Sequence, residues 1–324
     1  MKVTVYGAGA IGGWIGARLA RVGYDVSFVA RGKTLEALNR DGLLLIEGDK
    51  SSTLRVRLSD SPHALGTQDL VIVAVKAPSM GSVATSIAPL LGPDTAVLTA
   101  MNGVPWWFCA GLGPRFANVR LNSVDPTGEI ASSITAQQTV GCVVHASCTQ
   151  LNPGKIKHHM GNRLIVGEAV GPSKERTGRI AQAFQTAGFD VETSEHIQRD
   201  IWFKLWGNMT MNPISAITGA TTDHVLEDEL VRTFATRIME EAARIGQEIG
   251  IPIEQDSEER HGVTAKLGAM RTSMLQDVLA RRPVEIDALV SSVRELGQIT
   301  GVATPYTDVL LGLSRLHAST LGLY

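Results

Sequence analysis

Apolar residues in the first two-thirds of the chain come as short β-branched runs separated by stretches with a helical repeat. Residues 3–6, 25–30, 70–75, 95–100, 119–123 and 138–146 read as strands, and 11–22, 79–90 and 174–187 as helices between or after them. That alternation predicts a mostly parallel sheet with helices on its faces. Two shorter strand pairs, 43–47 with 53–58 and 154–158 with 163–167, read as antiparallel additions joined by turns rich in Gly, Asn and Ser. Beyond about His196 the strand pattern stops. Helical periodicity then covers 201–217, 225–250, 257–279, 283–299 and 305–316. Gly250 followed by Pro252 is a stop signal, and Pro283 and Pro305 suit first-turn positions. The expected organisation is an α/β domain over 1–196 followed by an all-helical domain over 197–324.

Composition narrows the function classes. Thirty Lys plus Arg against 32 Asp plus Glu leave a net charge of -2, so no broad basic field advertises nucleic acid or an anionic membrane. No run of roughly 18 apolar residues occurs, and a strand follows Met1 and Lys2 directly, so neither a transmembrane span nor a signal peptide is expected. Cys109, Cys142 and Cys148 are an odd number without a Cys-x-x-Cys pair, which fits free thiols in a reducing compartment. The expectation is a soluble cytoplasmic protein.

Candidate chemistry begins at Gly7-Ala8-Gly9-Ala10-Ile11-Gly12, a Gly-x-Gly-x-x-Gly pattern directly after a strand and opening a helix. Gly7 permits the tight turn, Gly9 lets the backbone approach a pyrophosphate, and Gly12 lets helix and strand pack closely. The helix start adds unpaired N–H groups and the positive end of a dipole. Arg31 closes the second strand, where an acidic residue would bind the ribose 2′-hydroxyl of NAD and an arginine accommodates the 2′-phosphate of NADP. Lys76 and Asn102-Gly103 follow two further strands, at the carboxyl ends where open α/β sheets bind ligands.

In the helical half, Lys204, Asn208 and Asn212 recur at four-residue spacing within an otherwise mostly apolar segment, so one face of that helix carries an amine and two carboxamides. Buried polar groups need partners. A bound substrate is one candidate, and solvent or a neighbouring helix is the other. His158-His159 completes no metal-ligand spacing, because adjacent strand residues face opposite sides, and no metal is expected.

Taken with Val29-Ala30-Arg31, Val75-Lys76, Asn212-Pro213, Ser273-Met-Leu-Gln-Asp277 and Glu285-Ile-Asp287, this constellation resembles the ketopantoate reductase (2-dehydropantoate 2-reductase) family over nearly the whole chain. The resemblance implies a Rossmann domain, a helical substrate and dimerisation domain similar to the C-terminal domain of 6-phosphogluconate dehydrogenase, and NADPH-dependent reduction of a 2-oxo acid in the cleft between them. The product would be a 2-hydroxy acid, with ketopantoate to pantoate in coenzyme A biosynthesis as the first expectation. It implies Lys204 as proton donor, with Glu285 also in the catalytic set. Asn102, Lys204, Asn208, Asn212 and Ser273 would bind substrate. Cofactor contacts would come from residues 7–12, Arg31, Lys76, Asn102, Glu285 and, through its backbone, Ser147. A homodimer is compatible with the helical domain's apolar stripes.

Two departures bear on the substrate. Val104-Pro-Trp-Trp-Phe108 is bulky and apolar close to where substrate would lie, and Thr222 stands where some members offer an asparagine. Alternatives therefore stay open: another 2-oxo acid, 3-hydroxy acid or opine dehydrogenase of the same architecture, or a non-catalytic NADP(H)-binding regulator.

Overall fold

The computed structural model describes all 324 residues. They form two compact units, Met1–Met101 with Gly128–Ile197, and Asn102–Thr127 with Gln198–Tyr324. The segment 102–127, grouped with the sheet in the sequence analysis, thus packs with the helices.

The first unit contains β1 (Lys2–Tyr6), α1 (Ala10–Arg21), β2 (Asp25–Val29), α2 (Gly32–Asp41), β3 (Leu43–Glu47), β4 (Lys50–Leu54), β5 (Arg57–Ser59), β6 (Leu70–Val73), α3 (Met80–Ala84), β7 (Ala96–Thr99), α4 (Glu129–Ser133), β8 (Thr139–Asn152), β9 (Lys155–Glu168), α5 (Glu175–Thr186) and β10 (Asp190–Thr193). One sheet runs β4-β3-β9-β8-β7-β6-β1-β2-β5, with β10 on β9. From β8 through β5 every pairing is parallel, while β8 with β9 and β3 with β4 are antiparallel. β6 and β7 are buried along their whole length, as expected of central strands covered on both faces. Gly16 brings α1 close to that sheet, since a Cβ there would strike the Phe28 ring.

Several expected elements differ. Residues 155–158 and 163–167 belong to the single strand β9, which pairs antiparallel with β8 and parallel with β3. Gly161 sits between them at φ +77°, where any Cβ would collide with the His145 carbonyl, and the β8 register slips beside it. Residues 119–123 are irregular chain leading into a turn instead of a strand, and the backbone N–H groups of Asn122 and Ser123 donate to the Glu295 carboxylate at 2.7 and 2.8 Å. The expected helix over 79–90 is shortened to α3 between two 3-10 turns, each carrying a proline. Neither α2 nor β10 was anticipated.

The second unit holds most of α6 (Ile197–Thr218), then α7 (Thr222–Glu227), α8 (Glu229–Glu248), α9 (Ser257–Ala265), α10 (Ser273–Leu279), α11 (Ser292–Thr300) and α12 (Pro305–Thr320). The expected 225–250 helix is interrupted at Asp228, whose carboxylate caps α8 by accepting from the N–H groups of Leu230 and Val231. The expected 257–279 helix breaks near Gly268, at φ +61°. Pro283 lies outside the helix it was expected to open. Helical geometry starts at Ile286, runs through a π turn over Asp287–Ser291, and continues as α11. Glu285 therefore immediately precedes the helix and is not in its first turn. The fully buried Glu241 of α8 accepts from the N–H groups of Tyr306 and Thr307, both at 2.9 Å, and from the Thr307 hydroxyl at 2.7 Å, closing the start of α12.

Candidate active site

In the first unit the glycine turn leaves β1 at Gly7, whose φ of +108° favours glycine. A Cβ on Gly7 would press on Ala74 and Val75, and one on Gly12 would collide with the Gly7 carbonyl, so these two glycines permit the close helix–strand packing. Gly9 is different: a Cβ there would meet nothing, leaving open space over the backbone at the start of α1. No side chain caps that helix start, so its first N–H groups suit an anionic ligand. Gln150 on β8 supports the turn by donating to the Ala8 carbonyl at 3.3 Å, a contact that no local sequence signal marks.

Arg31 lies two residues beyond β2, as the residue preceding α2. Its guanidinium donates to the Ser82 hydroxyl at 2.9 Å and the Tyr6 hydroxyl at 3.3 Å, and Tyr6 in turn is 2.6 Å from the Ser86 hydroxyl. The fork is thus held by hydroxyls and not by a carboxylate, which preserves its charge for a phosphate. Sequence reasoning missed Tyr6, Ser82 and Ser86, because they meet Arg31 only through the fold. Lys76 precedes the 3-10 turn Ala77–Ser79, half-buried with its ammonium nitrogen shielded from solvent. Ser147 lies on β8 opposite Met160, with a register slip on either side of it.

In the second unit α6 is buried on most sides, and Lys204 and Asn208 are half-buried while Asn212 is buried. The Lys204 ammonium donates to the Asn102 carboxamide oxygen at 2.9 Å. Asn212 donates to the Ser273 hydroxyl at 3.4 Å, a long contact with the exposed first residue of α10. The fold thus brings Lys204 to Asn102 across 102 residues, and Asn212 to Ser273 across 61. Glu285 stands half-buried just before the π turn. Asp277, at the end of the Ser273–Asp277 motif, pairs with Arg282 at 3.2 Å.

Arg260 on α9 was not singled out from the sequence. Its guanidinium lies over the Phe203 ring, 5.1 Å from the centroid, and against Gly207, where a Cβ would approach to 2.9 Å. Burial lowers its pKa. Thr222 is buried and donates to the Gly268 carbonyl at 2.7 Å, so its hydroxyl ties α7 to the loop before α10. Trp106 and Trp107 are 6% and 2% exposed, and Phe108 packs on Trp202, so this segment is part of the helical unit's core. His158 stacks on Trp14, whereas His159 contacts the Thr149 hydroxyl. Burial pushes the Cys109 and Cys148 thiols up to about 12, far from reactive thiolates.

With this geometry established, comparisons with known proteins agree along the whole chain. The family profile "Ketopantoate reductase PanE/ApbA" matches residues 3–106, and "Ketopantoate reductase PanE/ApbA C terminal" matches 196–318. A 2-dehydropantoate 2-reductase of Mesorhizobium japonicum is 43% identical, the alignment covering 100% of both chains. A crystal structure from Ralstonia solanacearum MolK2, named provisionally as a ketopantoate reductase, is 55% identical with a TM-score of 0.96, covering 100% of this chain and 99% of that one. A D-mandelate dehydrogenase solved with NADH and anilino(oxo)acetate, at 21% identity and a TM-score of 0.86, shares the fold, with 100% of each chain covered. The chain belongs to the ketopantoate reductase family.

Proposed function

We propose that this oxidoreductase reduces the 2-oxo group of 2-dehydropantoate to the 2-hydroxyl of pantoate, using NADPH. The observation that carries the reading is the Lys204–Asn102 hydrogen bond on the α6 face that also bears Asn208 and Asn212, in a chain of this family. NADPH, when bound, supplies the hydride. The Gly7–Gly12 turn would hold its pyrophosphate, Arg31 its 2′-phosphate, and Lys76, Glu285 and the Ser147 backbone would add further contacts. The open space over Gly9 and the hydroxyl-held fork of Arg31 fit those groups.

The chain's own chemistry is proton delivery and orientation. As the carbonyl carbon gains the hydride, negative charge grows on its oxygen. A charged Lys204 beside that oxygen stabilises it and gives up one proton, leaving a neutral amine that solvent reprotonates. Asn102 accepts one ammonium hydrogen and so restricts where the other two point. Asn208, Asn212 and Ser273 would hold the substrate carboxylate and hydroxyl with donors of fixed direction.

Lys204→Met tests the reading. With saturating NADPH and 2-dehydropantoate, turnover is expected to fall about 10²–10⁴-fold, and near wild-type turnover would overturn it. A panel of 2-oxo acids read by NADPH absorbance tests the substrate, and faster turnover of a bulkier acid would transfer the assignment to it. The thiols of Cys109 and Cys148, which form no disulfide, support residence in the cytoplasm. A homodimer is supported by the outer face of α12, where Tyr306, Val309, Leu313 and Leu316 are exposed at alternating three- and four-residue spacing, a seam suited to a second copy. Light scattering showing only monomer would remove that part of the reading.

A further inference from the structure

We propose that the π turn over Asp287–Ser291 is a positioning device for the proton donor, acting on Lys204 through Gly103 and Asn102. This rests on the assignment of Lys204 above. In a π turn the backbone pairs i to i+5 and is wider than an α-helix, a geometry that frequently accompanies functional sites. Here it presents the Ala288 carbonyl to the 102–104 segment, where the Val104 N–H donates to it at 2.8 Å. The Ser292 hydroxyl donates to the same oxygen at 2.9 Å.

Gly103 makes that approach possible. Its φ is +80°, and an added Cβ would collide with the Ala288 carbonyl and lie 2.8 Å from the Ala288 Cβ. The residue directly before it is Asn102, whose carboxamide oxygen receives the Lys204 ammonium. Backbone contact at 103–104 therefore fixes where the carboxamide stands, and the carboxamide fixes where the ammonium stands. The π turn is itself held from two sides. One carboxylate oxygen of Asp287 accepts from the Ser291 hydroxyl at 2.7 Å and from the Tyr324 hydroxyl at 2.9 Å. The chain end, the π turn, Gly103, Asn102 and Lys204 form one mechanical series inside the helical unit. A misplacement of about 1 Å in such a series is enough to cost on the order of 10²-fold in rate.

The test is a cycle of variants in the full-length enzyme, with rates normalised to NADPH-binding sites measured by fluorescence titration. Gly103→Ala is expected to lower kcat by about 10- to 100-fold and to move each KM in the same direction as Asn102→Ala does. The combined variant is expected to be no slower than the worse single variant by more than about threefold, because the two act in series. Losses that multiply, or a Gly103→Ala rate within about twofold of the parent, would overturn the proposal. Should Gly103→Ala fail to fold, Ser292→Ala removes only the hydroxyl on the Ala288 carbonyl. It is expected to lower kcat about two- to fivefold in the parent and not at all in Asn102→Ala, and an equal loss in both backgrounds would overturn the proposal. Failure here is separable from failure of the assignment above. An active Lys204→Met sinks the assignment, whereas an inactive Lys204→Met with multiplying Gly103 and Asn102 losses sinks only the positioning series.

Discussion

Replacing Arg31 by alanine should separate the two nicotinamide cofactors. In the free protein the guanidinium is exposed and donates to the hydroxyls of Ser82 and Tyr6. A 2′-phosphate would replace water at the remaining N–H groups and gain charge-assisted bonds, each worth roughly 1.5–3 kcal/mol net. Exposure argues for the lower part of that range, since two unit charges about 4 Å apart in water attract by only about 1 kcal/mol. The expected loss is about 1.5–2.5 kcal/mol, or about 12- to 70-fold in NADPH dissociation constant at 1.36 kcal/mol per decade. NADH lacks the phosphate and should change less than about twofold. Arg31→Lys keeps the charge without the planar fork and should fall between. Fluorescence titration of both cofactors at several salt concentrations reads all three numbers, and the NADPH preference should shrink as salt screens the pair. Equal losses for NADPH and NADH would refute the reasoning, as would a preference that survives unchanged in Arg31→Ala.

Glu241→Ala removes three hydrogen bonds from the start of α12 at a fully buried position. Urea unfolding should show a loss of about 3 kcal/mol, and less than about 1 would mean that water replaces the carboxylate without difficulty. His261 is buried and contacts the Thr236 hydroxyl, and burial lowers its pKa. The unfolded chain, with an ordinary histidine near 6.5, then binds more protons than the fold as pH falls below about 6.5. The stability associated with the neutral ring is present above that pH and declines below it, so His261→Gln should flatten the stability profile from about pH 7 to 5, and an unchanged slope would contradict this. Cys109 and Cys148, with pKa values near 12 against the ordinary 9.0, carry about a thousandfold less thiolate than unfolded thiols at pH 8. Alkylation timed by mass spectrometry should be correspondingly slow in the native protein, and labelling as fast as in urea would refute the burial argument.

Features written within one element, or across the short turn between two consecutive ones, were legible in the sequence. The Gly7–Gly12 turn joins adjacent β1 and α1, and its residue pattern marks the strand, the turn and the helix together. The Lys204–Asn208–Asn212 spacing defines one face of α6 for the same reason. Boundaries were less legible where prolines or a left-handed glycine interrupt a hydrophobic run. The 79–90 and 257–279 stretches carried enough apolar residues to look continuous, while Pro78, Pro89 and Gly268 decided otherwise. The continuity of β9 through Gly161 was hidden because glycine reads as a turn, although here it accommodates a register slip within a strand. Residues 119–123 have strand-like composition, but the N–H groups of Asn122 and Ser123 are satisfied by Glu295, 173 and 172 residues away, and that of Val119 by the Phe116 carbonyl.

By itself, then, the sequence determined the alternation of strands and helices, the helices beyond residue 196, the glycine turn after β1 and the polar face of α6. Each depends on residues close enough in the chain for periodicity or a fixed spacing to express it. Only the tertiary structure decided which partners those residues meet. It set the Arg31 fork on two hydroxyls, Asn102 on Lys204 and Gly103 against the carbonyl of a π turn. Such partnerships lie from 25 to 185 residues apart, and they arise from the packing of whole elements, which no local pattern of hydrophobic and polar positions encodes.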